Sequence, residues 1–518
     1  MRGNSRSVRL VAALVAAAFP LVSAGATAQV VQERVDLGVI ARIREEAAQH
    51  PQAAELERHL TDVIGPRLTG STGMRRANDW TAETLRSWGL SNVQVEPWGV
   101  FGRGWERVSY SGRMLTPFVQ PLHAQPAAWT GSTKGTVTAP AIAVVGGLDS
   151  LSKYAGKLKG AWVLLEEPRP VTPEFDPVIR RQPLDSLLAV RPRRRERPPV
   201  VWDSLLAQVH KRERARDSVL RAAGVAGVIT RSPLQYDIIR GGGDWGAIDP
   251  SVPIPVPELI VEQDEYDQIW RNATHGVGVQ LEISVQNRFL TDDLKGYNTL
   301  ADLPGTDKAN EFVMIGGHLD SWHFGTGATD NAAGTVVMME AMRILKTLGL
   351  QPRRTIRIAL WSGEEEGLYG SRHWLANHPE LHDRISAYLN LDNGTGKIRG
   401  IWDQSNQAAH GIFEQLLWPF RDLGVVAVRA GNTGSTDHVA FDDVGIPGFN
   451  FIQDPIEYGL RTHHSSVDTY DHALTEDLEQ AAIVVAATAY ALAMRDDPMP
   501  RKPAGDAPAA ASGSATRP

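Results

Sequence analysis

Between residues 312 and 334 the chain reads F-V-M-I-G-G-H-L-D-S-W-H-F-G-T-G-A-T-D-N-A-A-G. The apolar start, 312–315, has the length and composition of a buried strand. His318, Asp320 and Asp330 then arrive together in a glycine-rich stretch, and a helix is expected from about Asn331. Imidazole and carboxylate are the side chains that hold zinc-type ions. The positions just past a strand's carboxyl end are where an open α/β sheet collects such groups. By itself the segment fits a polar loop without metal equally well. The chain has no cysteine. That excludes disulfides, thiolate ligands and a cysteine nucleophile, so any metal must be held by His, Asp and Glu.

Three further strand-like runs lead into residues of the same kind. Residues 356–361 run into Ser362-Gly363-Glu364-Glu365-Glu366-Gly367, and 387–391 into Asp392-Asn393-Gly394. Residues 448–452 lead towards His463-His464-Ser465-Ser466-Val467-Asp468-Thr469. Alone, the glutamates read as a solvated acidic turn and Asp392 as a cap. Four separate strand ends carrying ligand-type residues carry more weight, because such ends converge on one crevice. His318, Asp330, Glu364, Glu365, Asp392 and one of the two adjacent histidines can therefore meet.

The combination resembles the co-catalytic zinc exopeptidases, which include bacterial leucyl aminopeptidase and the glutamate carboxypeptidases. The resemblance rests on H-L-D at 318–320, G-A-T-D-N-A-A-G at 327–334, E-E-E-G-L-Y-G-S at 364–371, N-L-D-N at 390–393 and H-S-S-V-D-T at 464–469. Residues 65–88 are also similar to the start of that catalytic domain. The resemblance implies two zinc ions, one held by His318 and Asp392, the other by Glu365 and His464, with Asp330 bridging both. Glu364 would be the general base towards a metal-bridged hydroxide, and Asp320 would orient His318. By analogy, Asp468 is expected to orient His464. These roles are chemically coherent. Paired dications need a shared anion, a free glutamate can relay the proton to the leaving amine, and a carboxylate on the far ring nitrogen fixes an imidazole's tautomer.

Some positions depart from the pattern. His463 precedes His464, and register against Asp468 and Thr469 favours His464. Glu366 adds a third acid, so a slip of one residue would exchange base and ligand. His323 is expected to be a satisfied loop histidine. Asp437 and His438, in S-T-D-H at 435–438, are candidate substrate contacts. Arg461 is assigned to the surface. The first functional choice is an aminopeptidase. The alternatives are a carboxypeptidase or dipeptidase on short peptides, a metal-free binding protein on the same scaffold, and a single-zinc acyltransferase of the glutaminyl cyclase kind. Recognition of charge separates the first two, since a free amine seeks acids and a free carboxylate an arginine or lysine.

The elements that must position these residues follow from composition. The chain has 518 residues, 42% hydrophobic and 22% charged, which fits a multi-domain globular protein with a sizeable core. A formal net charge of −7 favours neither nucleic acid nor an anionic membrane. Residues 1–28 read as an export signal, with Arg2, Arg6 and Arg9 before an apolar run and Ala26-Thr27-Ala28 as cleavage site, so a periplasmic or secreted location is expected. From Tyr297 strand and helix alternate, which is α/β order; the resemblance joins residues 29–123 and 287–495 into one peptidase domain and implies a mixed, mostly parallel sheet flanked by helices. Residues 124–286 read as a smaller, mostly β insertion resembling a protease-associated domain. Within it, 168–216 is rich in Pro and Arg and is read as a solvated surface excursion. In the helix expected from about 331 to 348, Val337, Ala341, Ile344, Leu345 and Leu348 share one face. Thr475 is expected to cap a final helix whose apolar run is a core helix rather than a membrane span. Residues 496–518 read as a disordered tail. Peptide substrate is the expected partner, with no stable membrane insertion; oligomeric state is not readable.

Overall fold

The structure, a computed structural model, describes residues 32–189 and 202–503, with backbone alone at Trp202. The expected export signal and the arginine run at 191–197 lie outside the described residues.

An eight-stranded sheet organises the chain, in the order Ser91–Val100, Lys295–Leu303, Arg354–Trp361, Lys308–His318, Ile385–Asn390, Gly448–Gln453, Ile398–Trp402, Ala427–Arg429. Its four central strands, Arg354–Trp361 to Gly448–Gln453, are mutually parallel, and antiparallel pairings flank them. The sheet is covered on both sides. Val313, Ile315, Ile358, Leu360 and Leu389 face one apolar cluster, while Met314, Ala359, Trp361 and Tyr388 face another. Successive residues of one strand thus enter opposite cores, the behaviour of a parallel sheet buried on both faces.

The helix Ala333–Thr347 was expected to bury one face. It is buried on every side from Ala333 to Leu345, because Thr475–Met494 and the N-terminal helices close over the side turned away from the sheet. Thr475–Met494 itself lies largely buried in the same core. Thr475 does not cap it but is its first helical residue, with Leu474 at the cap position. The tail is ordered further than expected. Met499 is buried in the main core, its amide donates to Ser386 Oγ (3.0 Å), and Lys502 pairs with Asp442 (2.6 Å).

A second eight-stranded sheet is built from strands between Gly104 and Leu290, so it takes in the long strand Gly104–Thr116 ahead of residue 124. It is less purely β than its composition indicates. Val137–Ala143, Trp162–Leu164, Gly227–Arg231 and Glu258–Val261 run parallel, accompanied by helices Trp202–Ala223 and Gln263–Thr274. The excursion at 168–216 is largely exposed from 169 to 186, as expected, but touches the main sheet at a few points. Leu187 is buried against Ala427 and Ile452, and Arg181 pairs with Asp454 and Asp477.

Candidate metal centre

All the expected ligand positions meet at the carboxyl ends of the central strands. His318 ends its strand opposite Trp361, three residues before Glu364, while Gly316 of that strand pairs with Asn390, two residues before Asp392. The short turn Ala328–Ala332 carries Asp330 over this edge, and the peptide between Asp330 and Asn331 is cis. A Cβ at Gly334 would lie 2.2 Å from the Leu391 carbonyl oxygen. Only glycine lets the following helix start so close to the strand end that bears Asp392.

Asp330 stands in the middle. Its Oδ1 is 3.2 Å from His318 Nε2 and its Oδ2 is 3.2 Å from His464 Nε2. On one side, His318 Nε2 is also 3.5 Å from Asp392 Oδ1. On the other, His464 Nε2 is 2.8 Å from Glu365 Oε2. Two ligands each about 2.1 Å from a tetrahedral ion lie roughly 3.4 Å apart, so these spacings suit side chains that share cations. Asp330 Oδ2, Glu365 Oε1 and Asp392 Oδ1 are buried without a hydrogen-bond partner. Buried carboxylate oxygens left this way carry a large desolvation cost unless a cation faces them. The donor set fits a pair of divalent ions.

The electrostatics agree. Burial pushes Glu364 well above the usual carboxylate range, against the pull of His318, and the anions Asp392 and Asp437 add to the rise. Burial raises Glu365 to about 7 despite His464. Burial alone would lower both imidazoles, yet Asp392 and Glu364 hold His318 well above its ordinary value, and Glu365 holds His464 at about 10. Burial works against Asp330 too, but the facing imidazoles of His318 and His464 outweigh it and keep its carboxyl well below the usual range. Buried anions outnumber buried cations here, which is the condition a bound dication relieves.

Asp320 lies against His318 as expected, whereas Asp468 holds a backbone turn. His318 Nδ1 donates to the main-chain carbonyl of Asp320 (3.0 Å), which leaves Nε2 free to face Asp330 and Asp392. The Asp320 side chain lies 3.6 Å from that ring and braces the glutamate turn, accepting from Thr69 Oγ1 (3.1 Å), the Glu365 amide (3.3 Å) and the Glu364 amide (3.4 Å). Asp468 was expected to orient His464. Its carboxylate instead accepts from the amides of Thr329 (2.6 Å) and Asp330 (3.2 Å), holding the turn that carries the central aspartate.

His464 rather than His463 faces both Asp330 and Glu365, with a left-handed backbone (φ 56°) that turns the ring inward. His463 stacks on it (3.7 Å between centroids), keeps its Nε2 3.7 Å from Asp330 Oδ2, and accepts at Nδ1 from Arg240 (2.6 Å). Glu366 is buried, and burial with the neighbouring charge of Asp320 raises its carboxyl well above the usual range. His323 donates from Nε2 to the Pro126 carbonyl (2.8 Å), and its Nδ1 is buried without a hydrogen-bond partner. Asp437 and His438, read as substrate contacts, are fully buried. Asp437 accepts from Ser371 Oγ (2.5 Å) and His438 bonds the Thr433 carbonyl (3.2 Å), while Asp437 Oδ2 and His438 Nδ1 are buried without a hydrogen-bond partner. Arg461 is paired with Glu457 (3.0 Å).

Sequence reasoning missed two arginines. Arg67 is fully buried and donates to the carbonyls of Leu319, Thr326 and Gly327, bracing the loop between His318 and Asp330. Arg240 comes from the second sheet's side of the molecule, where the run R-G-G-G-D at 240–244 was the available signal. A Cβ at Gly243 would be 2.6 Å from the Ala128 carbonyl, which is why this loop can press so closely against its neighbour. Among the described residues no carboxylate pairs with Arg240.

A model of peptidase family M28 matches residues 298–489, the stretch that holds His318, Asp330, Glu364, Glu365, Asp392 and His464. Human carboxypeptidase Q is 26% identical to the chain over 446 residues, 85% of each protein. The crystal structure of a peptidase M28 precursor from Shewanella amazonensis superposes with a TM-score of 0.67 at 25% identity, covering 90% of this chain and 98% of that one. A zinc aminopeptidase from Bacillus subtilis shares the fold with a TM-score of 0.53 at 20% identity, over 85% of this chain and 93% of the other.

Proposed function

We infer that this metallo-exopeptidase of peptidase family M28 removes a terminal residue from short peptides by holding their free carboxylate at Arg240. Arg240 is the single observation behind the choice. It is a guanidinium beside the metal ligands, with no carboxylate partner among the described residues, and it offers a planar fork of donors suited to a carboxylate. This reverses the order read from the sequence and makes the enzyme a carboxypeptidase or dipeptidase rather than an aminopeptidase. The extensive likeness to a protein named carboxypeptidase Q supports the same choice.

In this reading His318 and Asp392 would hold one zinc ion and Glu365 and His464 the other, with Asp330 shared between them. Bound dications supply acidification of a water and polarisation of the scissile carbonyl. The protein's own part is to place a proton acceptor and to exclude bulk water. Glu364 is the carboxylate of the turn left over from ligation. It is buried near His318 and Asp392, where it can take a proton from water and return it to the leaving amine. His463, fixed by Arg240, lines the same mouth. Export of the enzyme, with residues 1–28 as signal, and a protease-associated role for the second sheet belong to this proposal and rest on the sequence pattern.

Dipeptides blocked at one end test the reading. Zinc-loaded enzyme should hydrolyse an N-acetylated dipeptide and spare its C-amidated counterpart. The opposite preference would establish an aminopeptidase and remove Arg240 from its assigned role.

A further inference from the structure

Two adjacent histidines reach the metal centre, and one imidazole is left over. His464 turns its Nε2 to Asp330 and Glu365, at 3.2 and 2.8 Å. His463 lies against it with 3.7 Å between ring centroids, and its own Nε2 is 3.7 Å from Asp330 Oδ2. By distance alone His463 qualifies as a further ligand, since one ligand atom from each of Asp330, His463 and His464 lies within 4.8 Å of the others. Arg240 decides otherwise. Its Nη2 is 2.6 Å from His463 Nδ1. A guanidinium has only donors, so Nδ1 is the acceptor. A neutral imidazole that accepts at Nδ1 carries its proton at Nε2, and an imidazolium would set two N–H groups against each other. A protonated Nε2 has no lone pair for a metal. His463 is therefore a hydrogen-bond donor beside the central aspartate.

That donor is both free and fixed. Its separation from Asp330 Oδ2 is too long for a hydrogen bond, and among the described residues nothing else accepts from it. The ring is stacked on His464, packed against Tyr458 (4.9 Å between centroids) and tied at Nδ1 to Arg240. The side chain is 31% exposed, so a molecule entering the site can reach it. Asp330 faces both pairs of ligands, and hydrolysis has to take place beside it. The oxygen of the attacked carbonyl gains negative charge as the tetrahedral species forms. A pre-positioned N–H is worth most at that moment.

We propose that His463 is a catalytic residue, held by Arg240 as the Nε2–H tautomer so that it donates a hydrogen bond to the oxygen of the scissile carbonyl. This rests on the exopeptidase reading above, but not on which end of the peptide is recognised. The proton stays on Nε2 throughout, and no bond to the imidazole is made or broken. Towards His463, Arg240 is a positioning residue that acts through Nδ1, and its other N–H groups stay available to a carboxylate.

Two substitutions separate the donor from the ring. His463→Phe keeps a flat ring for the stack and removes the donor, so kcat on a dipeptide should fall roughly 100–1,000-fold with KM within about threefold. His463→Gln restores an N–H and should recover at least about tenfold of that loss. Both should keep the zinc content of the wild type. A phosphinic dipeptide analogue, whose tetrahedral oxygens stand in for the reacting carbonyl, should bind His463→Phe more weakly by the factor that kcat/KM loses. Nitrogen NMR of metal-free protein labelled at histidine should show His463, identified by the signal that His463→Gln removes, protonated at Nε2 alone. A proton at Nδ1, zinc lost from a folded variant, near-normal kcat in His463→Phe or no gain from glutamine would each overturn the donor role. If circular dichroism shows His463→Phe unfolded, the NMR and glutamine measurements decide. Zinc-loaded wild type that hydrolyses no dipeptide, whether free, N-blocked or C-amidated, would instead refute the exopeptidase reading.

Discussion

The carboxylate of Asp468 accepts the backbone amide of Asp330 at 3.2 Å and that of Thr329 at 2.6 Å, so one buried aspartate holds the turn that presents another. Burial and the charge of Asp330 raise the Asp468 carboxyl to about 8. Asp468→Ala leaves two buried amides without an acceptor, at about 1–3 kcal/mol each. Zinc affinity should fall roughly 10–100-fold, the usual effect of losing a residue that orients a ligand. Competition with a chromogenic chelator and thermal unfolding read the two effects separately.

Glu364→Gln keeps the shape of the turn and its backbone bonds to Asp320. It should retain full zinc content while kcat falls by about 10²–10⁴-fold. Near-normal turnover at full occupancy would transfer the proton-acceptor role to another group.

Removing metal should destabilise the fold. Asp330, Glu365 and Asp392 each bury an oxygen without a hydrogen-bond partner. A ligand that binds only the folded state at 100 times its Kd adds about 2.7 kcal/mol. Chelator should therefore lower Tm, and zinc should restore it. Asp330→Ala should show a lower Tm that zinc no longer raises.

Arg67 is a buried cation whose donors all reach main-chain carbonyls, at Leu319 and Thr326 (2.7 Å), Gly327 (2.8 Å), Gly65 (3.2 Å) and Leu60 (3.4 Å). Arg67→Met should cost on the order of 3–5 kcal/mol in denaturant unfolding, the scale of breaking a buried charge network. Burial raises Glu57, whose oxygens lack hydrogen bonds, well above the usual carboxylate range in spite of the charge of Arg67. Glu57→Gln should accordingly change stability by less than about 1 kcal/mol at neutral pH.

Glu213 offers a pH dependence away from the metal ligands. Burial, reinforced by Asp244, raises its carboxyl from 4.5 to about 7. The folded state then binds the proton more tightly than the unfolded one. Its contribution is fully present below the unfolded value and is lost as pH rises through about 7. Between pH 5 and 8, wild-type Tm should fall more steeply than that of Glu213→Gln, with a difference on the order of 2 kcal/mol by the upper end. Parallel curves would contradict the raised value.

Much of this architecture was already written along the chain. Apolar runs such as 312–315 and 356–361 declared themselves as strands because a parallel sheet buried on both faces demands continuous Val, Ile and Leu. The residues just beyond those runs declared the metal cluster, because strand ends converge and the absence of cysteine left few donors. Burial on all sides of Ala333–Thr347 could not be read from its own period, since the covering helix Thr475–Met494 lies far along the chain. The same holds for side-chain direction. Whether Asp320 and Asp468 meet an imidazole or a backbone amide, whether His463 or His464 turns inward, and whether Asp437 faces substrate or core depend on angles and neighbours that local composition does not encode. Arg240 and the contacts of Arg181 and Leu187 were the furthest from view. Their meaning arises only when one sheet is laid against another, because a contact between residues hundreds of positions apart leaves no periodic trace in either segment. The chain's order of residue types determined the chemistry available, and tertiary packing decided which groups were left unpaired to perform it.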